Sequence, residues 1–226
     1  SVYGSAGDGS RKEEDELNPL TAYARSKIGV EEKIKKFASS EFIVTSLRFA
    51  TACGWSPRIR LDLVLNDFVA AAISSREIEI LSDGSPWRPL IDVYDMTRAM
   101  DWAMHREEGN GGSYLSINVG SESWNYQVKE LAEAVCDNIP NTSFLINTEA
   151  QPDKRSYKVD FTLFKKLAPE FQPIMTLDKS IKKIYEGLMK NNFNDNNFRE
   201  SKYMRLNSLN YKITNKLLDI DLNWIV

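Results

Sequence analysis

Long apolar runs are missing from this sequence. No stretch approaches the ~18 residues that a helix needs to cross a bilayer, and the first residues lack the pattern of a secretory signal. A cytoplasmic protein with no membrane contact is therefore expected. Cysteine is scarce: Cys53 and Cys136 stand far apart, without the CxxC or Cys/His spacing of a zinc site or a disulfide framework, so reduced thiols and no metal are expected. The single histidine, His105, falls late in a predicted helix, where a cap or a surface position accounts for it better than catalysis does, and this argues against a serine-histidine hydrolase. A basic excess is also lacking. With 29 Lys and Arg against 32 Asp and Glu, the net charge is −3, which argues against a broad nucleic-acid or anionic-membrane footprint. What is present is an ordinary composition, 42% hydrophobic and 27% charged over 226 residues, enough to bury a core in one or two domains.

Along the chain, "SVYGS" at 1–5 reads as the end of a strand entering a loop, and the polar stretch to Leu20 reads as that loop. Apolar residues Ala22, Ile28, Val30, Ile34 and Phe37 then recur at helical spacing over 21–38, before the β-rich "EFIVTSLRFA" at 41–50. A loop is expected at "TACGWSPRIR" (51–60), helices near 61–75, 94–107 and 125–138, and strands at "EIEIL", "RPLIDV", "SYLSINVG" and "SFLIN". Two further helices are expected near 161–168 and 177–190, then an Asn-rich linker, "NNFNDNNFRES", and a last helix or arm. Helices alternating with strands in this way predict an α/β fold with largely parallel pairing.

Within "TAYARSKIGVEEKIKKF" (21–37), Tyr23 and Lys27 stand at i and i+4, on one helical face and one turn apart, where an ammonium can lower the pKa of a phenol. A phenolate accessible near neutral pH can take a proton from a sugar hydroxyl as hydride leaves the carbon. The spacing alone is weak, because a chain with 9 tyrosines and 17 lysines contains about 0.7 such pairs by chance. Its context is specific. The pair follows "SVYG" by about twenty residues, sits in "NPLTAYARSK", and precedes a strand ending "LRFATACG". Further on come "LSDGSPWRPLIDVYDMTRA" at 81–99 and "PDKRSYKVDFTLFKKL" at 152–167.

In these four ordered segments the sequence resembles the extended short-chain dehydrogenase/reductase family, in its NAD-dependent nucleotide-sugar epimerase/dehydratase branch, over residues 1 to about 190. The resemblance implies the C-terminal part of a Rossmann-type doubly wound parallel sheet with a smaller α/β substrate-binding domain. Residues 1–50 and 85–108 would belong to the former, 51–84 and 109–192 to the latter, and 193–226 to a linker and C-terminal arm. The family's glycine-rich phosphate loop and acidic ribose ligand precede "SVYG", so the chain is read as N-terminally truncated.

By the same resemblance, Tyr23 is the catalytic acid/base, and Lys27 holds the nicotinamide ribose of NAD and tunes the phenol. Thr51, Asn66, Arg88 and Arg155, with Arg58 as a further arginine, would contact a nucleotide-diphosphate sugar, since guanidinium forks match phosphate geometry. Trp55, Trp87, Phe49 and Tyr157 are weighed evenly between pocket lining and packing, and Asp92 is read as the cap of the 94–107 helix rather than as half of a catalytic pair with Asp95. Ser1 stands where the dehydratases generally carry Glu, so a nucleotide-sugar epimerase is expected, with a reductase or dehydratase as the alternative. A reading of another class is a non-catalytic remnant that binds nucleotide sugar. Two apolar helix faces, on the 21–38 and 61–75 helices, are expected to make the intact enzyme a homodimer.

Overall fold

A computed structural model describes residues 2–4, 9–147 and 156–225. Its elements are β1 (Ser10–Arg11), α1 (Ala22–Ile34), β2 (Val44–Phe49), β3 (Thr51–Cys53), α2 (Val64–Ser74), β4 (Glu77–Ile80), β5 (Trp87–Asp92) and α3 (Val93–His105). They continue as β6 (Tyr114–Val119), β7 (Asn125–Gln127), α4 (Val128–Asn138), β8 (Ser143–Ile146), β9 (Lys158–Val159), α5 (Thr162–Leu167), α6 (Leu177–Lys190) and α7 (Arg205–Thr214). Parallel pairs join strands far apart in sequence: β1 with β9, β2 with β6, β3 with β5 and β4 with β8. Such pairing needs crossover segments, which the helices supply. This is the expected α/β class.

Local chemistry fixes the helix starts. The Thr21 hydroxyl accepts from the Ala24 amide at 3.1 Å, and the Thr176 hydroxyl accepts from Lys179 at 3.3 Å, each meeting an amide that the helix itself leaves unpaired. Asp92 caps α3, as expected, by accepting from Tyr94 at 2.8 Å. Asp95 is no catalytic partner to it, because its two oxygens accept the Ile174 and Met175 amides at 3.0 and 3.1 Å. Burial raises its carboxyl above the ordinary value, against those two bonds.

Two buried clusters organise the molecule. In the larger, α2, α4 and α6 pack on one another and against β4 and β8, around Leu65, Ile78, Leu131 and Ile181. The smaller lies between α3, α5 and the β2–β6 pair, around Ala99, Ile117 and Phe164, with Trp102 edge to face on Phe164 at 5.7 Å. Across position 109, β6 pairs with β2 along its whole length and shares that strand's core.

Several local expectations change. Val2 and Tyr3 form a turn, the rest of the expected strand end, residues 1 and 5, lying outside the described residues, and Gly4 (φ +69°) lies so close to the Asn18 carbonyl that a Cβ would stand 2.2 Å from its oxygen. The expected 51–60 loop begins with β3, in parallel register with Leu90–Asp92. The helix expected from 125 starts at Val128, because Asn125 is held by Val159 through both side-chain atoms, each at 3.1 Å, and β7 pairs with β5 instead. The Asn-rich stretch is folded onto the larger core through buried Phe193 and Phe198.

The second helix of the expected dimer contact is itself core: Leu65, Phe68, Val69, Ala70, Ala71 and Ala72 of α2 are all buried. Of those two helices, α1 is the one with exposed large apolar side chains, Tyr23 and Val30. His105 ends α3 exposed, beside Asp101, and both thiols are free, Cys53 buried and Cys136 partly so. Among the described residues, no helix is long and apolar enough to cross a membrane.

Candidate active site

Helix α1 touches the rest of the chain through charge rather than apolar area, for Ala24 alone of its residues is buried. Its anchor is Glu31. Both Glu31 oxygens accept from Arg48 of β2, at 3.0 and 2.6 Å, and one also accepts from Ser116 of β6 at 3.2 Å. Arg48 continues to the Tyr3 hydroxyl at 3.0 Å, which donates to Asn118 at 2.6 Å. Burial acts to lower the Arg48 pKa, but the hydrogen bonds to Glu31 and the Tyr3 contact outweigh it and hold the value above the ordinary one. This bidentate, largely buried pair fixes the rotation of α1 on the sheet.

That rotation leaves Tyr23 exposed, at 68%. The Lys27 ammonium lies over its ring, 5.2 Å from the centroid, so the i, i+4 pair is formed as a cation–π contact. Arg60 lies within electrostatic reach of Tyr23: its pKa is raised first by its hydrogen bonds to Asp62, with smaller contributions from the charges of Asp62 and Tyr23. Asp62 in turn is held below the ordinary carboxylate value, chiefly by Arg60, and it lines a cleft.

The cleft, of about 500 Å³, is bounded by β3, β4, β5 and the start of α2. Thr51, Arg88 and Tyr157 line it, so two of the expected substrate contacts and one of the four aromatics meet there. Arg88 donates to the Trp87 carbonyl at 2.8 Å. Asn66 does not line it; the buried amide accepts from Gly54 and donates to the Arg60 carbonyl, each at 3.0 Å, and ties down the 54–60 loop. Arg58 is exposed elsewhere, and Arg155 lies outside the described residues. Trp55 packs on Gly187 of α6, Trp87 carries the Lys158 ammonium 3.6 Å from its ring centre, and Phe49 packs in the smaller cluster.

Sequence reasoning missed Asp62, Asp67, Glu79 and Arg199 on the cleft wall. Asp67 follows Asn66 directly, in the segment already singled out. Arg199 had a subtler signal: two phenylalanines in an otherwise polar stretch, "NNFNDNNFR", mark a segment with something to bury.

Known proteins agree with this architecture. Residues 1–120 match the model of the NAD dependent epimerase/dehydratase family. The low-salt glycan biosynthesis protein Agl12 of Haloferax volcanii is 28% identical over 170 residues, covering 75% of this chain and 53% of that protein. MoeE5, solved with UDP-glucuronic acid and NAD, superposes with a TM-score of 0.67 at 25% identity, over 84% of this chain and 62% of that one. The UDP-glucose-4-epimerase of Stenotrophomonas maltophila, at 18% identity, superposes with a TM-score of 0.67 over 84% and 61% of the two chains, a likeness of fold. The chain thus spans about half the length of its curated relative. With more than half its residues inside the family's model and its parallel α/β fold shared with these structures, the chain belongs to the NAD dependent epimerase/dehydratase family.

Proposed function

We propose that this chain carries the proton-transfer pair and the substrate cleft of a nucleotide-sugar epimerase that uses NAD. The observation that carries the reading is spatial. Thr51, Arg88 and Asp62 line one cleft, Asp62 pairs with Arg60 through two hydrogen bonds, and Tyr23 and Lys27 share the exposed face of α1. MoeE5, a relative at 25% identity, was solved with a UDP-sugar acid and NAD, which supports this ligand class.

The residues suit both partners. An ammonium with three donors matches ribose hydroxyls, and Lys27 is one turn from the phenol. NAD, when bound, supplies the acceptor and later the donor of hydride. Tyr23 then removes the proton from the sugar hydroxyl as its carbon is oxidised and returns it on reduction, which is general base and general acid work by one group. Arg88 holds the diphosphate by charge-assisted hydrogen bonds and so sets the ring over the phenol. Epimerisation is the finer reading, and dehydration is the alternative within the family. Incubation of the intact enzyme, with its cofactor loop, with NAD and UDP-glucose or UDP-glucuronic acid is expected to give an isomer of unchanged mass; a product lighter by one water would establish a dehydratase.

Arg88→Leu is expected to cost about 1.5–3 kcal/mol of diphosphate binding, a loss of affinity of roughly tenfold or more. Isothermal titration with UDP reads this directly, and unchanged affinity in a folded variant would return Arg88 to a structural role. Self-association, if the chain is a homodimer, is expected to use the outer face of α1 around Val30 and not α2, whose apolar side is already buried. Sedimentation of Val30→Glu at micromolar concentration should then show monomer where the parent shows dimer.

A further inference from the structure

One wall of the cleft comes from a segment without regular secondary structure. After α6 the chain sinks Phe193 and Phe198 into the larger core, where they meet edge to face at 5.9 Å, and Tyr203 closes on Phe193 at 5.2 Å. This aromatic anchor fixes Arg199, whose guanidinium carbon lies 4.8 Å from the Phe198 ring centre. Arg199 lines the cleft and also a neighbouring cavity of about 410 Å³, bounded by Arg60, Met204 and Arg205. Asp62 lines both cavities with it.

Its hydrogen bonds are one-sided. Nε and Nη2 donate to the two oxygens of Asp67 at 2.8 and 2.7 Å. A guanidinium has a second edge, made by Nη1 and the outer hydrogen of Nη2, and here that edge makes no hydrogen bond among the described residues. Asp67 does not discharge the arginine; it orients it. An ion pair with Arg199 still 46% exposed contributes little to stability, and the aromatic anchor already holds the segment, so stability gives the pair little to do. In a cleft whose wall also carries Asp62, Asp67 and Glu79, an entering anion depends on whichever guanidinium edges are still open.

We propose that Arg199 is a further diphosphate-binding residue, held by Asp67 with its second edge presented to the phosphate oxygens of a nucleoside diphosphate. The inference rests on the nucleotide-sugar reading above and extends it to a residue outside the family-like segments. It also makes the 191–204 stretch part of the site.

The test uses the 226-residue chain, titrated calorimetrically with UDP, dTDP, GDP, ADP and CDP, and by ligand-observed NMR with the matching nucleosides. Arg199→Gln is expected to weaken the bound diphosphate tenfold or more while leaving its nucleoside unchanged, and Arg199→Lys to recover only part, because a point charge cannot serve Asp67 and phosphate as a fork does. Equal diphosphate affinity in Arg199→Gln, or an equal loss for diphosphate and nucleoside, would overturn the role of Arg199 and leave the nucleotide-sugar reading standing. A parent chain that binds none of the five diphosphates would overturn both.

Discussion

In the intact enzyme, with its cofactor loop, Tyr23→Phe is expected to lower turnover of a nucleotide sugar by roughly 10²–10⁴, the usual worth of a positioned acid/base, with nucleotide-sugar affinity nearly unchanged. The reason is chemical. Phenylalanine keeps the ring under the Lys27 ammonium and removes only the hydroxyl that carries the proton. In the proposed function binding depends on the cleft, whose wall does not include Tyr23, so kcat should fall while the substrate's dissociation constant stays. Lys27→Ala should behave differently. In the proposed function one ammonium serves both the ribose and the phenol, so cofactor affinity and rate should fall together. Steady-state kinetics at varied NAD separates the two variants. A Tyr23→Phe chain with parental turnover would remove Tyr23 from the chemistry.

The class of fold was legible because it is written in periodicity. Tyr114–Val119 and Val44–Phe49 read as strands from their β-branched and apolar runs, and both are strands, paired residue for residue. Partner choice was not legible. Nothing local in "SYLSINVG" says that it lies against β2 and not in the unit that follows it; that depends on Phe161, Phe164 and Trp102 closing one core over both strands.

The site shows the same division. The Tyr23–Lys27 face follows from helical spacing alone, and Thr51 and Arg88 came to line the cleft. Asn66 did not, since its amide is consumed by Gly54 and Arg60, a demand that appears only once the 54–60 loop folds over α2. Arg199 was hidden for the opposite reason: Asn-rich composition reads as linker, and two aromatic side chains outweigh it by finding a core. What α1 does was legible as a helix, but not its sparse packing, because its hold on the sheet is the Glu31–Arg48 pair, formed between residues 17 positions apart.

That dependence makes Arg106→Met the second large effect to expect, at a distance from the cleft. Arg106 is 6% exposed, and burial lowers its pKa from the ordinary value. No carboxylate pairs with it among the described residues; its charge is solvated by oxygens of the fold. Nε donates to the Thr45 hydroxyl at 2.8 Å, Nη1 to the Asn110 and Gly112 carbonyls at 2.9 and 2.6 Å, and Nη2 to the Val44 carbonyl at 2.9 Å. One side chain thereby joins the end of α3, the turn before β6 and the start of β2. Methionine fills much of the volume and satisfies none of these acceptors. With hydrogen bonds to charged groups worth about 1.5–3 kcal/mol and buried acceptors left unpaired costing about 1–3 kcal/mol each, a loss of about 3–5 kcal/mol is expected, since some acceptors will regain water. For a chain of this length that lowers the melting temperature by roughly 6–20 °C. Lysine should recover part of it, keeping charge but not the fork. Amide exchange should locate the damage, faster in β2 and β6 and unchanged in α2, α4 and α6, whose core is separate. Because β2 and β6 present Arg48 and Ser116 to Glu31, loosening them should also let α1 rotate, and turnover should fall by more than the folded fraction does. A melting temperature within 2 °C of the parent would show that water replaces the guanidinium at all four oxygens, and that the β2–β6 edge holds α1 without it.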